Sequence, residues 1–187
     1  MRLVAIVRLP SSEGLVRVCQ ELVDAGLPAV EVTLTTPGAL RAIAALKGQV
    51  GAGSVRSVDD VRRAEEAGAS FLVTPTVRPE VISAATVPVV CGALTPTEID
   101  LASSAAYVKV FPASSMGPRY IKEVLAPMPE LKLIPTGGVT PSLAQEYLAA
   151  GAVGVGIGSA LVNAETIANP RLLREKATEF RRAVGLE

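Results

Sequence analysis

Apolar residues gather in eight short runs, and between them the pattern changes to the wider spacing of amphipathic helices. The runs are Leu3–Leu9, Ala29–Leu34, Val50–Gly53, Phe71–Thr74, Pro88–Cys91, Ala106–Phe111, Lys132–Thr136 and Val153–Ile157. Short runs rich in Val, Ile and Leu, bounded by Gly, Pro, Ser and Thr, read as buried strands. A helix is expected after each. Ser11 or Ser12 can cap the first, which ends near Gly26, and Thr36-Pro37 opens the second with proline at the first helical position. Ser57 opens the third, ending at Gly68. Thr95-Pro96-Thr97-Glu98 has capping-box form. Thr140-Pro141 opens a helix stopped by Gly151, and a last amphipathic helix is predicted over Glu165–Val184. Eight β-then-α units imply parallel strands with helical crossovers, and eight is the number that closes a barrel. The expectation is a single α/β domain over 1–187, a (β/α)8 TIM barrel. An open doubly wound sheet is the runner-up, but Arg8-Leu9-Pro10-Ser11 after the first strand is not a dinucleotide loop.

Alternation along each strand sorts side chains by face. In the first strand Val4, Ile6 and Arg8 share a face. In the second, Val30, Val32 and Leu34 face the helices, which sends Glu31 and Thr33 inward. In the sixth, Val108 and Val110 go outward, while Tyr107, Lys109 and Phe111 go inward. One amine, one carboxylate and one guanidinium are therefore expected inside one barrel, toward the strand C-termini where such folds carry their sites. A lysine in a buried strand is costly to desolvate unless its amine is paired, neutral or put to use. A neutral amine is a nucleophile that can form a Schiff base with a carbonyl substrate. Two blander readings stand beside this one. Lys109 could sit at a strand end and snorkel to solvent, and Glu31 could serve only as its counter-ion.

Composition narrows the choice. Apolar residues make up 49% of 187 residues but aromatics only 3%, so the core must be aliphatic. Lys+Arg and Asp+Glu both number 18, and no basic tract or aromatic platform suggests nucleic acid. Charges, Gly and Pro interrupt every apolar run short of membrane-spanning length. Met1-Arg2 leads straight into a strand-like run without a cleavage-site pattern. Cys19 and Cys91 read as free thiols of a cytoplasmic protein. The chain has no histidine, which removes the commonest general base and the commonest ligand of catalytic zinc. Proton transfer falls to Glu, Asp, Lys, Tyr, Cys or water, and no metal site is expected.

A second constellation is rich in glycine. Thr136-Gly137-Gly138-Val139 follows the seventh strand, and Gly154-Val155-Gly156-Ile157-Gly158-Ser159 spans the eighth and its exit. Glycines let backbone N–H groups approach a phosphate, and a phosphate site after strands 7 and 8 recurs in barrels. The alternative is that they permit tight turns and close packing.

Six motifs occur in one order. They are Glu31-Val32-Thr33-Leu34, Gly51-Ala52-Gly53-Ser54-Val55, Val73-Thr74-Pro75, Gly92-Ala93-Leu94-Thr95-Pro96-Thr97-Glu98, Lys109-Val110-Phe111-Pro112-Ala113 and Pro135-Thr136-Gly137-Gly138-Val139. Through them the chain, from about Leu3 to Val162, resembles the 2-keto-3-deoxy-6-phosphogluconate aldolase family. These Schiff-base enzymes release pyruvate and glyceraldehyde 3-phosphate without metal or organic cofactor. The family also includes 4-hydroxy-2-oxoglutarate aldolases, which yield glyoxylate, and 6-phosphogalactonate aldolases. The resemblance puts the Schiff-base lysine on Lys109, the acid/base glutamate on Glu31, and the phosphate-binding residues on Gly137, Gly138, Gly158 and Ser159. It implies a small-molecule substrate, a 2-keto-3-deoxy sugar acid phosphate, and a homotrimer. Phe111 and Thr136 join the expected substrate contacts.

The chain departs from the phosphogluconate enzymes in several places. Thr35 stands where they usually carry arginine, Ser54 where they carry threonine, and Cys91 where they carry proline; the usual helix before the first strand is missing or shortened. The stretch Phe111–Lys122, and Arg8, look closer to the phosphogalactonate branch. Arg8, with Ser54 and Thr35, is the expected anchor of the pyruvyl carboxylate. Two rival readings remain: a phosphate-binding barrel enzyme without imine chemistry, and a non-catalytic sugar-phosphate sensor.

Overall fold

The computed structural model describes residues 1–187. Its eight strands are β1 (Leu3–Val7), β2 (Val30–Thr33), β3 (Val50–Gly53), β4 (Leu72–Val73), β5 (Val89–Ala93), β6 (Tyr107–Val110), β7 (Leu133–Pro135) and β8 (Val155–Ile157). All pair in parallel, in the order β7-β6-β5-β4-β3-β2-β1-β8. The two ends of that order meet at one bridge, Thr136 to Gly156, and one hydrogen bond from Val153 N–H to Leu133 C=O, 3.1 Å. A Cβ on Gly156 would lie 2.3 Å from Thr136 Oγ1, so only glycine lets the seam come together. The result is a nearly closed TIM-type barrel.

Two apolar layers follow from the strand alternation. Leu3, Ala5, Val7, Val30, Val32, Val108 and Val110 face outward into the large core beneath the helices. Val4, Ile6, Ala29, Phe71, Val73, Val90 and Ile134 form a separate cluster inside the barrel. Each fully buried Val, Leu, Ile or Phe side chain in these layers contributes about 1.5–3 kcal/mol. Phe71 is 1% exposed, and its ring fills the room left by Gly51, where a Cβ would lie 2.5 Å from it. A chain with so few aromatics thus uses one of them as the barrel floor.

The helices are α1 (Leu15–Asp24), α2 (Ala39–Ala45), α3 (Val58–Glu66), α4 (Pro79–Ala84), α5 (Pro96–Leu101), α6 (Gly117–Leu125), α7 (Pro141–Ala149), α8 (Ala164–Ala168) and α9 (Pro170–Ala183). Ser57 and Thr95 close capping boxes on α3 and α5, and Thr140 caps α7. Three expectations are corrected. Neither Ser11 nor Ser12 caps α1, which starts from Gly14. Thr36-Pro37 does not open α2, which starts from Gly38, because the Thr36 hydroxyl is engaged elsewhere: it accepts from Leu9 N–H and lies 3.1 Å from Thr33 Oγ1. The last helix is two, α8 and α9. Asn169 caps α9, and Pro170 cannot donate the hydrogen bond that would continue α8. No helix is long and apolar enough to cross a membrane.

Candidate active site

Lys109 projects from β6 into the barrel and is 8% exposed; Glu31 projects from β2 and is 2% exposed. Lys109 Nζ donates to Glu31 Oε2 at 3.5 Å. The carboxylate has room because β3 carries glycine opposite it, where a Cβ on Gly53 would lie 2.0 Å from Glu31 Oε1. Gly92 pairs in register with Lys109 on β5, and its N–H donates to Thr74 Oγ1 at 3.1 Å. Phe111, 39% exposed, stands two residues above the lysine, and its ring centroid is 5.6 Å from Nζ. That separation suits a cation–π contact with the ammonium form.

Above the amine opens a cavity of about 330 Å³, within the range of small-molecule sites. Lys109 and Ile6 form part of its floor. Arg8 and Ser54 line it, together with Thr136, Gly137, Gly138, Gly158 and Ser159. Gly137 and Gly138 have φ of 103° and 67°, a region other residues rarely enter. A Cβ on Gly138 would also lie 2.9 Å from the Ser114 side chain. The N–H groups of Gly137, Gly138, Ser159 and Ala160 donate to no protein carbonyl. They form a rim of free donors of the kind that receives an anion.

The expected residues do not all converge. Thr35 lies outside this cavity: it is exposed, its hydroxyl donates to Thr33 Oγ1 at 3.1 Å, and it borders an outer recess beside Arg8. Glu31 is beneath the main cavity, at a small void shared with Lys109, Thr136 and Gly156. Pro75 and Val139 line the cavity unanticipated. Each belongs to a quoted motif, but neither carries a polar group that would single it out.

The arrangement offers an amine held beside a carboxylate, beneath a cavity lined by an arginine and by anion-ready amides. Residues 1–176 match the family model described as "Aldolase: KDPG and KHG aldolase". The 2-dehydro-3-deoxy-6-phosphogalactonate aldolase of Escherichia coli (strain K12) is 35% identical over 175 residues, 87% of this chain and 85% of that protein. A solved structure described as native KDPGal superposes with a TM-score of 0.89 at 33% identity, covering 98% of this chain and 94% of its own. The KDPG aldolase from Legionella pneumophila, with pyruvate captured at low pH as a covalent carbinolamine intermediate, superposes with a TM-score of 0.84. It is 27% identical, covering 94% of this chain and 91% of its own.

Proposed function

The chain belongs to the KDPG and KHG aldolase family and is an aldolase, a carbon–carbon lyase; from that premise we propose that it works through a Schiff base on Lys109. The observation that carries this reading is the buried Lys109–Glu31 pair beneath a cavity lined by Arg8 and by free backbone amides. The reading takes 2-keto-3-deoxy-6-phosphogluconate to pyruvate and glyceraldehyde 3-phosphate, with 4-hydroxy-2-oxoglutarate cleavage as a companion activity. The phosphogalactonate epimer is the second reading, favoured by the likeness to the E. coli enzyme.

Lys109 attacks the C2 ketone, and the carbinolamine loses water to give a protonated imine. Glu31, through a water, takes the C4 hydroxyl proton. The C3–C4 bond breaks, its electron pair moves into the imine to form an enamine, and the aldehyde leaves. Reprotonation at C3 and hydrolysis release pyruvate and restore the amine. The imine is the electron sink, so the chemistry requires no metal or organic cofactor. Arg8 and Ser54 hold the pyruvyl carboxylate, with Thr35 at the outer edge; a guanidinium is a suitable fork for it. Phe111 packs against the reacting carbons. Thr136, Gly137, Gly138, Gly158 and Ser159 receive the distal phosphate. We assign the activity to a single domain over 1–187, to a homotrimer as the resemblance implies, and to the cytoplasm, where the free, buried Cys19 and Cys91 suit a reducing environment.

The test is pyruvate with borohydride, read by peptide mass, beside steady-state cleavage of the candidate ketoacids. A reduced adduct on Lys109 is expected, and Lys109→Ala should lose both adduct and cleavage while staying folded. An adduct on Lys132, Lys122, Lys47 or Lys176 would overturn the assignment. Arg8→Ala should weaken pyruvate capture by about 1.5–3 kcal/mol, roughly one to two decades, from the loss of a charge-assisted partner.

A further inference from the structure

Beside the active-site cavity lies a second recess, of about 590 Å³, bordered in part by Arg56 and Arg78, to which the aldolase reading gives no role. The residues around it are Arg, Thr and Ser, with Pro75. Three arginines border it: Arg8 after β1, Arg56 in the β3–α3 loop and Arg78 ahead of α4. Thr35, Ser54 and Thr76 complete its border.

The positive charge there is largely uncompensated. Neither Arg8 nor Arg56 takes part in any ion pair of the structure, and Arg78 has only a 3.6 Å contact with Glu80. Of the two nearest acids in sequence to Arg56, Asp59 pairs with Arg62 and Arg63, and Asp60 uses its carboxylate to accept from the N–H groups of Arg56 and Ser57 in the α3 cap. In a chain of zero formal net charge, three arginines around one polar recess make a strong local attraction for anions. Arg guanidinium groups are also the side chains best shaped to grip carboxylate and phosphate oxygens.

Arg8, Ser54 and Pro75 line both this recess and the active-site cavity. Ser54 is the one non-glycine residue with positive φ, at 60°, a strained state that collects at ligand sites. It stands where the two spaces adjoin.

We propose that this recess is a second anion site, for a small molecule carrying two or more closely spaced negative charges, and that its occupant inhibits by drawing Arg8 away from the substrate carboxylate. The inhibitory part rests on the reading of Arg8 given above. A site of this kind would slow pyruvate capture whenever multiply charged metabolites accumulate, with no second conformation of the barrel required.

Citrate at matched ionic strength is a suitable probe. Two signals are read together: pyruvate capture by borohydride trapping, and citrate binding by calorimetry without pyruvate. In the wild-type protein citrate should bind and slow capture beyond the effect of matched potassium chloride. In the Arg56→Gln/Arg78→Gln double variant, capture without citrate should stay within twofold of wild type, while half-inhibition should need at least tenfold more citrate. The single Arg56→Gln variant should fall between. Equal inhibition of wild type and double variant would overturn the site. Citrate binding that leaves capture unimpeded would overturn the sharing of Arg8. Collapse of capture in the double variant without citrate would also overturn the proposal, by making these arginines part of the substrate anchor. Failure of the aldolase reading shows separately, as no adduct in the absence of citrate, while the calorimetric arm still tests the anion site.

Discussion

At the scale of single residues, the Lys109–Glu31 pair is better explained by chemistry than by stability. Both groups give up water to lie 3.5 Å apart within the barrel. Apolar residues of the same volume commonly serve a fold as well or better than a buried ion pair. Glu31→Gln keeps the shape but removes the proton acceptor. Turnover should fall by about 10²-fold or more, the usual share of a positioned acid/base group, with Lys109 still able to trap pyruvate. Steady-state rates beside borohydride trapping check this, and near-normal turnover would leave Glu31 as a counter-ion alone. Serine at position 54 and threonine at 35 carry the same lesson from opposite sides. Ser54 faces the cavity because the chain turns there through a left-handed conformation. Thr35 misses the cavity because it lies two residues past the end of β2.

Among the elements, β3 determines more of the site than its composition suggests. Its inward positions are glycines, and Gly53 stands where any Cβ would meet the Glu31 carboxylate at 2.0 Å. Gly53→Ala should therefore displace Glu31 from Lys109 and reduce turnover by about 10²-fold, as removing the acid/base group does. Far-UV circular dichroism should remain that of the parent. A variant of normal activity would mean that the carboxylate has somewhere else to go. This contrast marks how much was legible beforehand. Alternation on β1, β2 and β6 selected Arg8, Glu31 and Lys109 because a two-residue period holds wherever a strand has one apolar face. The caps at Ser57, Thr95 and Thr140 were legible because a hydroxyl three residues before a helical N–H has a local partner. Thr36 defeated the same rule by turning its hydroxyl to Leu9 N–H, a contact across 27 positions that no local pattern contains. Arg56 and Arg78 were invisible for a related reason: they stand in loops, where no period assigns a direction, and the turns of the chain bring them together.

For the whole molecule, packing against the barrel sets a limit at high pH. Cys19 is fully buried on α1, and burial pushes its thiol from an ordinary 9.0 up to about 12. Since the folded value is raised, the native state holds the proton while the unfolded chain releases it. That contribution to stability is intact below pH 9 and declines as pH rises toward 12, by about 1.4 kcal/mol per pH unit. Urea unfolding at pH 8, 10 and 11 should show this decline, to which Cys91, Tyr120 and Tyr147, also shifted upward by burial, add, and Cys19→Ala should lessen it. The β7–β8 seam has another consequence. The barrel is a hoop with one weak join, a single bridge and one flanking hydrogen bond, and the proposed phosphate subsite straddles that join. A phosphate seated on Gly137 and Gly138 from one side and Gly158 and Ser159 from the other would act as a clasp, so catching the ligand and closing the hoop become one event. Ligands that bind only the native state stabilise it by about 2.7 kcal/mol at a hundred times their Kd, and here the gain should concentrate at the join. Glyceraldehyde 3-phosphate should slow amide exchange of Val153, whose N–H crosses to β7, by about tenfold. Pyruvate, which has nothing to place across the gap, should leave that amide exchanging as it does in the unliganded protein.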